Sequence, residues 1–206
     1  MIGVIDYKAG NAPSVLNALN KLNIDSKLIT SEQDMKSVSG IILPGVGSAK
    51  ATMESLRSMK ILEKLEEMVV GEGKPFLGIC IGLQVLFEFS EEGDTNCLGW
   101  LRGCVKRFPE SRVRVPHIGW NGVKFNYEHP IISKINSNEF FYFVNSYYVV
   151  PNNNDIILGR TKYGLEFCTM VAHKNIFATQ FHVEKSGLIG LQLLKNFAAV
   201  VGGDLC

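Results

Sequence analysis

Through the first half of the chain, short apolar runs alternate with amphipathic stretches. Ile2–Asp6, Ser26–Thr30, Gly40–Leu43 and Phe76–Ile79 read as buried strands. Between them, Ala12–Leu22 carries Val15, Leu16, Leu19 and Leu22 on one helical face. Ser31–Lys36 is polar and reads as a short helix, and a long helical stretch with a break near Lys60 runs to Val70. Past Phe76–Ile79 the period returns to helical over Ile81–Phe89. Strand and helix in strict alternation predict a parallel sheet covered on both faces.

The second half has little helical period. Val105–Phe108, Gly122–Phe125, Glu139–Val144, Tyr147–Val149 and Asp155–Arg160 read as short strands, separated by turn clusters such as Asn136–Asn138 and Pro151–Asn154. Thr169–His173 and Ile176–Phe181 form a hairpin through Lys174 and Asn175, and Ser186–Val200 is a closing amphipathic helix. The expected architecture is a single α/β domain over residues 1–206. It has a mostly parallel central sheet, helices on both faces and an antiparallel extension in the second half.

Composition narrows the functional classes. A net charge of +1 over 206 residues offers no basic surface for nucleic acid and no acidic tail. No apolar run is long enough to span a membrane, and Met1–Ile5 reads as a strand rather than a leader. The five cysteines, Cys80, Cys97, Cys104, Cys168 and Cys206, are odd in number and contain no Cys-x-x-Cys pair. This argues against a disulfide framework or a metal site and for a reducing, cytoplasmic setting. No cofactor is expected, and the last four cysteines read as structural or incidental.

Cys80 is different. It follows the strand Phe76–Ile79 directly, precedes a helix, and has Gly78 and Gly82 two residues to either side. That is a nucleophile elbow with cysteine in place of serine, lifting the sulfur at a helix N-terminus that favours a thiolate. A buried core cysteine is the plainer alternative. A nucleophile needs a base. His182 ends the last strand, and Glu184 stands two residues on, where in an extended segment it shares the histidine's side and can fix its tautomer. A strand-end histidine beside a solvated glutamate is the rival reading. His117 sits in Val115–Asn121, which reads as an ordered loop suited to binding, and His129 and His173 lie in turns. For an oxyanion hole, the loop Gly45-Val46-Gly47 and the amide of Ile81 can supply backbone donors. An ordinary strand-to-helix turn is the plainer reading of that loop, and phosphate binding is a rival to it, although the loop lacks the lysine and hydroxyl of a P-loop.

Cysteine elbow, glycine loop and His-x-Glu in this order resemble the class I (triad) glutamine amidotransferases. Asp6-Tyr7-x-x-Gly10-Asn11, Leu43–Gly47, Gly78–Gln84, Val115–Asn121 and Gln180–Ser186 are similar to the glutaminase subunits of imidazole glycerol phosphate synthase. The resemblance implies a Cys80–His182–Glu184 triad acting on glutamine. It implies that Gln84 and Glu92 hold that substrate, and that Asn145-Ser146-Tyr147 meets its α-carboxylate. It further implies a heterodimer in which ammonia passes to a (β/α)8 cyclase subunit for imidazole glycerol phosphate and AICAR formation in histidine synthesis. Asn11, Trp120, Tyr142 and Lys185 would face that partner. Lys8, Asn145 and Val183 depart from the usual motifs, where glycine, histidine and proline are expected. Two alternatives are a related glutaminase feeding amidation of a surface sugar and a non-catalytic scaffold. A third, a cysteine peptidase, suits the small amino-acid site less well.

Overall fold

The computed structural model describes residues 1–8 and 11–203. Gly10 of the first motif and Cys206 lie outside the described residues. The elements follow in the order β1 (Ile2–Ile5), α1 (Ala12–Lys21), β2 (Ser26–Ile29), α2 (Glu32–Met35), β3 (Gly40–Leu43), α3 (Ala49–Ser58), α4 (Leu62–Glu66) and β4 (Phe76–Ile79). Each expected element of the first half is present. The helix break falls at Lys60, whose φ of 55° stops α3 from running on into α4. After α4 the chain winds a π turn over Glu67–Gly71.

Past the elbow the helix is shorter than its apolar period suggests. α5 covers only Ile81–Gln84. The carbonyls of Val85, Leu86 and Phe87 are taken by the amides of Leu98, Leu101 and Gly99, so no helical ladder can continue through them. The all-round burial of residues 81–87 explains the misleading pattern. Two strands then appear that the sequence reading did not mark, β5 (Phe89–Ser90) and β6 (Thr95–Asn96). They are followed by β7 (Gly103–Arg107), β8 (His117–Phe125), β9 (Glu139–Asn145), β10 (Tyr147–Pro151), β11 (Ile157–Tyr163), β12 (Leu165–His173), β13 (Ile176–Thr179) and α6 (Gly187–Gly202). β8 therefore absorbs His117–Asn121, which had been expected to form a loop. Its residues pair with β9 from His117↔Asn145 to Val123↔Glu139.

The sheet reads β2-β1-β3-β4-β13-β12-β10-β7-β5-β6, with β11, β8 and β9 branching from β12. The first five strands in that order are parallel. β12, β10 and β7 add antiparallel neighbours, the extension expected of the second half. Strand alternation sorts the core to the two faces. Ile41, Leu43 and Phe76 pack with Met53, Leu56 and Leu65 of α3 and α4. Ile42, Leu77 and Phe177 pack with Val15 and Leu19 of α1 and with Leu193 and Phe197 of α6.

The decisive pairing is β13 against β4. β13 forms the expected hairpin with β12, and it also lies parallel to β4 in register from Ile176↔Phe76 to Thr179↔Ile79. Both strands therefore end side by side. Asn175, in the turn before β13, fixes the other end. Its carbonyl accepts from Phe76 N at 2.9 Å, and its Nδ2 donates to Val69 O and Lys74 O, each at 2.8 Å. Asn175→Ala leaves two carbonyls without their donor, a loss of about 1–2 kcal/mol. Tm should fall by roughly 3–6 °C in thermal unfolding, and an unchanged Tm would remove this residue from the register lock.

Candidate active site

Cys80 stands in the turn between β4 and α5 with φ 57° and ψ −106°, a conformation that costs a non-glycine residue about 1–3 kcal/mol. Its backbone is held on both sides. Cys80 N donates to Thr179 O at 2.7 Å, and Cys80 O accepts from Leu83 N at 3.0 Å. The glycines are demanded by contact. A Cβ on Gly78 would lie 2.5 Å from Gly82 O, and one on Gly82 would run into Leu43 O.

His182 follows β13, three residues beyond Thr179, the strand end that pairs with Ile79. Its N–H donates to Tyr142 O at 2.9 Å, and its carbonyl accepts from Ser186 Oγ at 2.6 Å. The Ser186 hydroxyl oxygen in turn accepts from Tyr142 N at 3.0 Å. His182 Nδ1 meets Glu184 Oε1 at 2.8 Å, with both side chains fully buried. The link was expected from extended backbone, yet Val183–Lys185 is a tight 3-10 turn that brings the two together by curling. Nε2 of His182 has no hydrogen-bond partner among the described residues. Burial alone would lower the His182 pKa, but interaction with the Cys80 sulfur and the Glu184 carboxylate outweighs it and raises the value to about 10. Glu184 moves the opposite way. Burial would raise its pKa, and His182, with help from Asn11, holds it below the ordinary carboxylate value.

Asn11 is placed differently from expectation. Rather than lying on a partner-facing surface it is buried, 4% exposed, and its Nδ2 donates to Glu184 Oε1 at 2.7 Å. Trp120 is exposed, with its ring 6.0 Å from that of Tyr142 on the outer face of the β8–β9 ladder, and Lys185 is exposed beside His182. His117 does not line a binding loop. Its ring stacks 4.9 Å from Phe143 and 4.0 Å from Tyr163, and burial lowers its pKa to about 4, a neutral core imidazole. Pro116, its neighbour, does reach the site.

A cleft of about 330 Å³ joins Val46, Gly47, Cys80, Ile81, Gln84, Glu92, Ser146, Tyr147 and His182, with Pro116, Val144 and Asn145 completing its wall. That volume suits a small molecule. A larger groove of about 450 Å³ along Glu128–Ile135 contains neither Cys80 nor His182. Gly45 sits behind the cleft, where a Cβ would strike the Tyr7 hydroxyl. Gly47 has φ +103° and open space around it. Burial raises the Glu92 pKa against the opposing hydrogen bond from Ala49 N at 2.7 Å. Asn145 Oδ1 is buried without a hydrogen-bond partner among the described residues, while its Nδ2 donates to Tyr147 O at 2.9 Å. Gln84 Nε2 donates to the same carbonyl at 3.3 Å and to Gln180 Oε1 at 3.0 Å. Gln180 was missed as a site residue, although the period-two rule that linked His182 to Glu184 reaches back to it equally well. Chemically the cleft offers a sulfur nucleophile, an imidazole held by a carboxylate, and the backbone amide of Ile81 at the start of α5. Among the described residues no cluster of three or more His, Cys, Asp or Glu side chains could hold a metal ion. No helix among them is long and apolar enough to cross a membrane.

The profile of the family Glutamine amidotransferase class-I matches residues 3–201. The chain is 46% identical over 205 residues to the imidazole glycerol phosphate synthase subunit HisH of Dehalococcoides mccartyi, covering 99% of each. It is 42% identical to the protein of the same name from a Geobacillus species, covering 98% of each. Among solved structures, a glutamine amidotransferase superposes with a TM-score of 0.77 at 19% identity over 98% of each chain, a likeness of fold.

The pKa directions set a pH window for stability. A raised His182 pKa stabilises the fold fully below the unfolded value of about 6.5, and this is lost as pH climbs toward about 10. A lowered Glu184 pKa stabilises it above the unfolded value of about 4.3, and this is lost on acidification. Glu184→Gln should therefore lower the urea midpoint most between about pH 4.5 and 6.5, with the gap narrowing in both directions. A gap that is flat with pH would mean the pair is not ionised.

Proposed function

Since the chain belongs to the class I glutamine amidotransferases, and within them to the family of HisH subunits of imidazole glycerol phosphate synthase, we propose that it hydrolyses glutamine and delivers the ammonia to a cyclase subunit for histidine synthesis. The observation that carries this reading is the strained Cys80 elbow opening on one cleft with His182, itself held at 2.8 Å by Glu184.

The steps follow from the geometry. The Cys80 thiolate attacks the side-chain amide carbon of glutamine, and the carbonyl oxygen takes the negative charge. The amide of Ile81 and those of the Gly45-Val46-Gly47 loop stabilise that oxyanion. The His182 imidazolium gives its proton to the amide nitrogen, the C–N bond breaks, and ammonia leaves a glutamyl thioester. Water then attacks the thioester while His182 accepts its proton. Glutamate leaves and the thiolate returns. Glu184 holds Nδ1–H throughout and stabilises the charged ring. Gln84, Glu92, Ser146 and Tyr147 hold the amino-acid end of glutamine. Glu92 supplies a carboxylate for the α-ammonium, and the unpaired Asn145 Oδ1 is a further acceptor on that wall.

The partner is a (β/α)8 cyclase subunit. The outer face of β8 and β9 supports this reading, because Ile118, Trp120 and Phe140 stand there 61%, 54% and 60% exposed beside the site. Trp120, Tyr142 and Lys185 belong to this face, and Asn11 acts behind it through Glu184. Supply of ammonia to a surface-sugar amidation would use the same chemistry with a different barrel, and the names of the curated relatives do not favour it.

Glutamate release should be slow for the chain alone and rise strongly with a histidine-pathway cyclase subunit and that subunit's nucleotide substrate. Cys80→Ala should lower the stimulated rate by about 10⁴-fold or more while the two subunits still associate. Turnover surviving that substitution would end the glutaminase reading. Reactive Cys80 without stimulation would move the partner to another pathway.

A further inference from the structure

Gln180 is fully buried and belongs to no part of the mechanism above. It follows β13 directly, two residues before His182, and its side chain lies against the nucleophile, with Nε2 3.6 Å from Cys80 Sγ. An amide side chain can present either oxygen or nitrogen to a neighbour, and the surrounding network decides which. Gln84 Nε2 faces two acceptors, Tyr147 O at 3.3 Å and Gln180 Oε1 at 3.0 Å. Tyr147 O is a carbonyl, so the Gln84 group turned toward it must be the donor NH₂. That donor in turn fixes oxygen as the Gln180 atom on its side, leaving the Gln180 NH₂ pointed at sulfur. Asn145 Nδ2 reaches the same Tyr147 carbonyl at 2.9 Å and holds the far end of the chain in place.

We propose that Gln180 is a thiolate-binding residue: an amide donor of fixed orientation that stabilises charge on Cys80 Sγ and holds the sulfur in its attacking position. The inference rests on the reading of Cys80 as the nucleophile. Sulfur accepts weakly as a thiol and far more strongly as a thiolate, so a donor at this position favours the charged form. The ionisable groups that face Cys80 act differently. His182, backed by Glu184, supplies positive charge, Tyr7 beneath the loop is kept neutral by burial with a pKa pushed up to about 12, and Glu92 stands on the cleft wall. Gln180 adds a neutral donor that does not titrate, and its contribution does not move with His182. Once the sulfur–carbon bond forms, the sulfur is uncharged and accepts only weakly from Gln180, so the residue acts on the nucleophile rather than on the leaving ammonia.

The test is the rate of iodoacetamide labelling of Cys80 in the purified full chain, followed on the Cys80 peptide by mass spectrometry across pH. Gln180→Met keeps the volume and removes the donor. Labelling at neutral pH is expected to fall about tenfold and to regain the unsubstituted rate at strongly alkaline pH, where the thiol ionises in either protein. Gln180→Glu keeps the shape should the methionine variant fail to fold, and it should slow neutral labelling further because a carboxylate beside sulfur opposes the thiolate. Equal labelling in all proteins, or a loss that is the same at every pH, would overturn the proposal, since access rather than thiolate stabilisation would then be affected. Glutamate release by the unsubstituted chain tests the glutaminase reading separately. Its failure with Cys80 labelling still sensitive to Gln180 would leave the thiolate donor standing and remove only the substrate.

Discussion

The site depends on two strands lying parallel in one register. β4 and β13 are separated by about half of the chain, yet Thr179 pairs with Ile79, and the amide of Cys80 closes the ladder on Thr179 O at 2.7 Å. A slip of one residue would turn every side chain to the opposite face. It would carry His182 away from the sulfur while leaving the composition of the core almost unchanged. The protein guards this register at both ends. Asn175 ties the entry of β13 to the loop before β4, and the 3-10 turn over Val183–Lys185 ties its exit to β9 through Ser186 and Tyr142. The geometry of the Cys80–His182 site is therefore a by-product of sheet pairing, with a strained backbone held at Cys80 itself.

That strain is affordable because the surroundings leave it no escape. Relaxing Cys80 to an ordinary φ would break its bond to Thr179 or drive Gly78 against Gly82, which lie too close for a Cβ between them. The helix that follows is short because its carbonyls are claimed by the Leu98–Leu101 segment. α5 thus contributes little length and, through its first amides, most of its chemistry. The same segment that truncates the helix seals Leu86 and Phe87 into the core, so the elbow is braced from behind by packing as well as by hydrogen bonds.

Local chemistry was legible in the sequence, and distant contacts were not. Gly78, Cys80 and Gly82 announce themselves because an elbow requires those residue types at that spacing, and His182 with Glu184 because a tautomer-fixing carboxylate must lie within reach. The parallel half of the sheet followed from alternation of strand and helix. What failed to show was everything decided by neighbours far along the chain. Asn11 read as surface because its partner, Glu184, is at the other end of the sequence. His117 read as part of a loop because its stacking partners, Phe143 and Tyr163, come from β9 and β11. Ile81–Phe89 read as one helix because burial on all sides imitates a periodic pattern. Gln180 stood within the motif but carried no signal of its own, since its role is set by Gln84 across the β4–β13 junction.

The two sides of the reacting carbon are built to different standards of rigidity, and this has a consequence for control. On the sulfur side, Cys80, Gln180 and Gln84 form one run of contacts and His182, Glu184 and Asn11 another, with side chains almost fully buried. On the loop side, Val46 is 37% exposed and no described residue lies within 4 Å of where a Cβ on Gly47 would stand, while Gly45 is wedged against Tyr7 and Ile81. A peptide between an anchored glycine and an open one is free to turn where the triad is not. In the glutaminase mechanism proposed above, a bound partner would act at this loop: it would complete or withdraw the oxyanion donors at Val46 and Gly47 without disturbing Cys80, and so hold ammonia release back until a consumer is present.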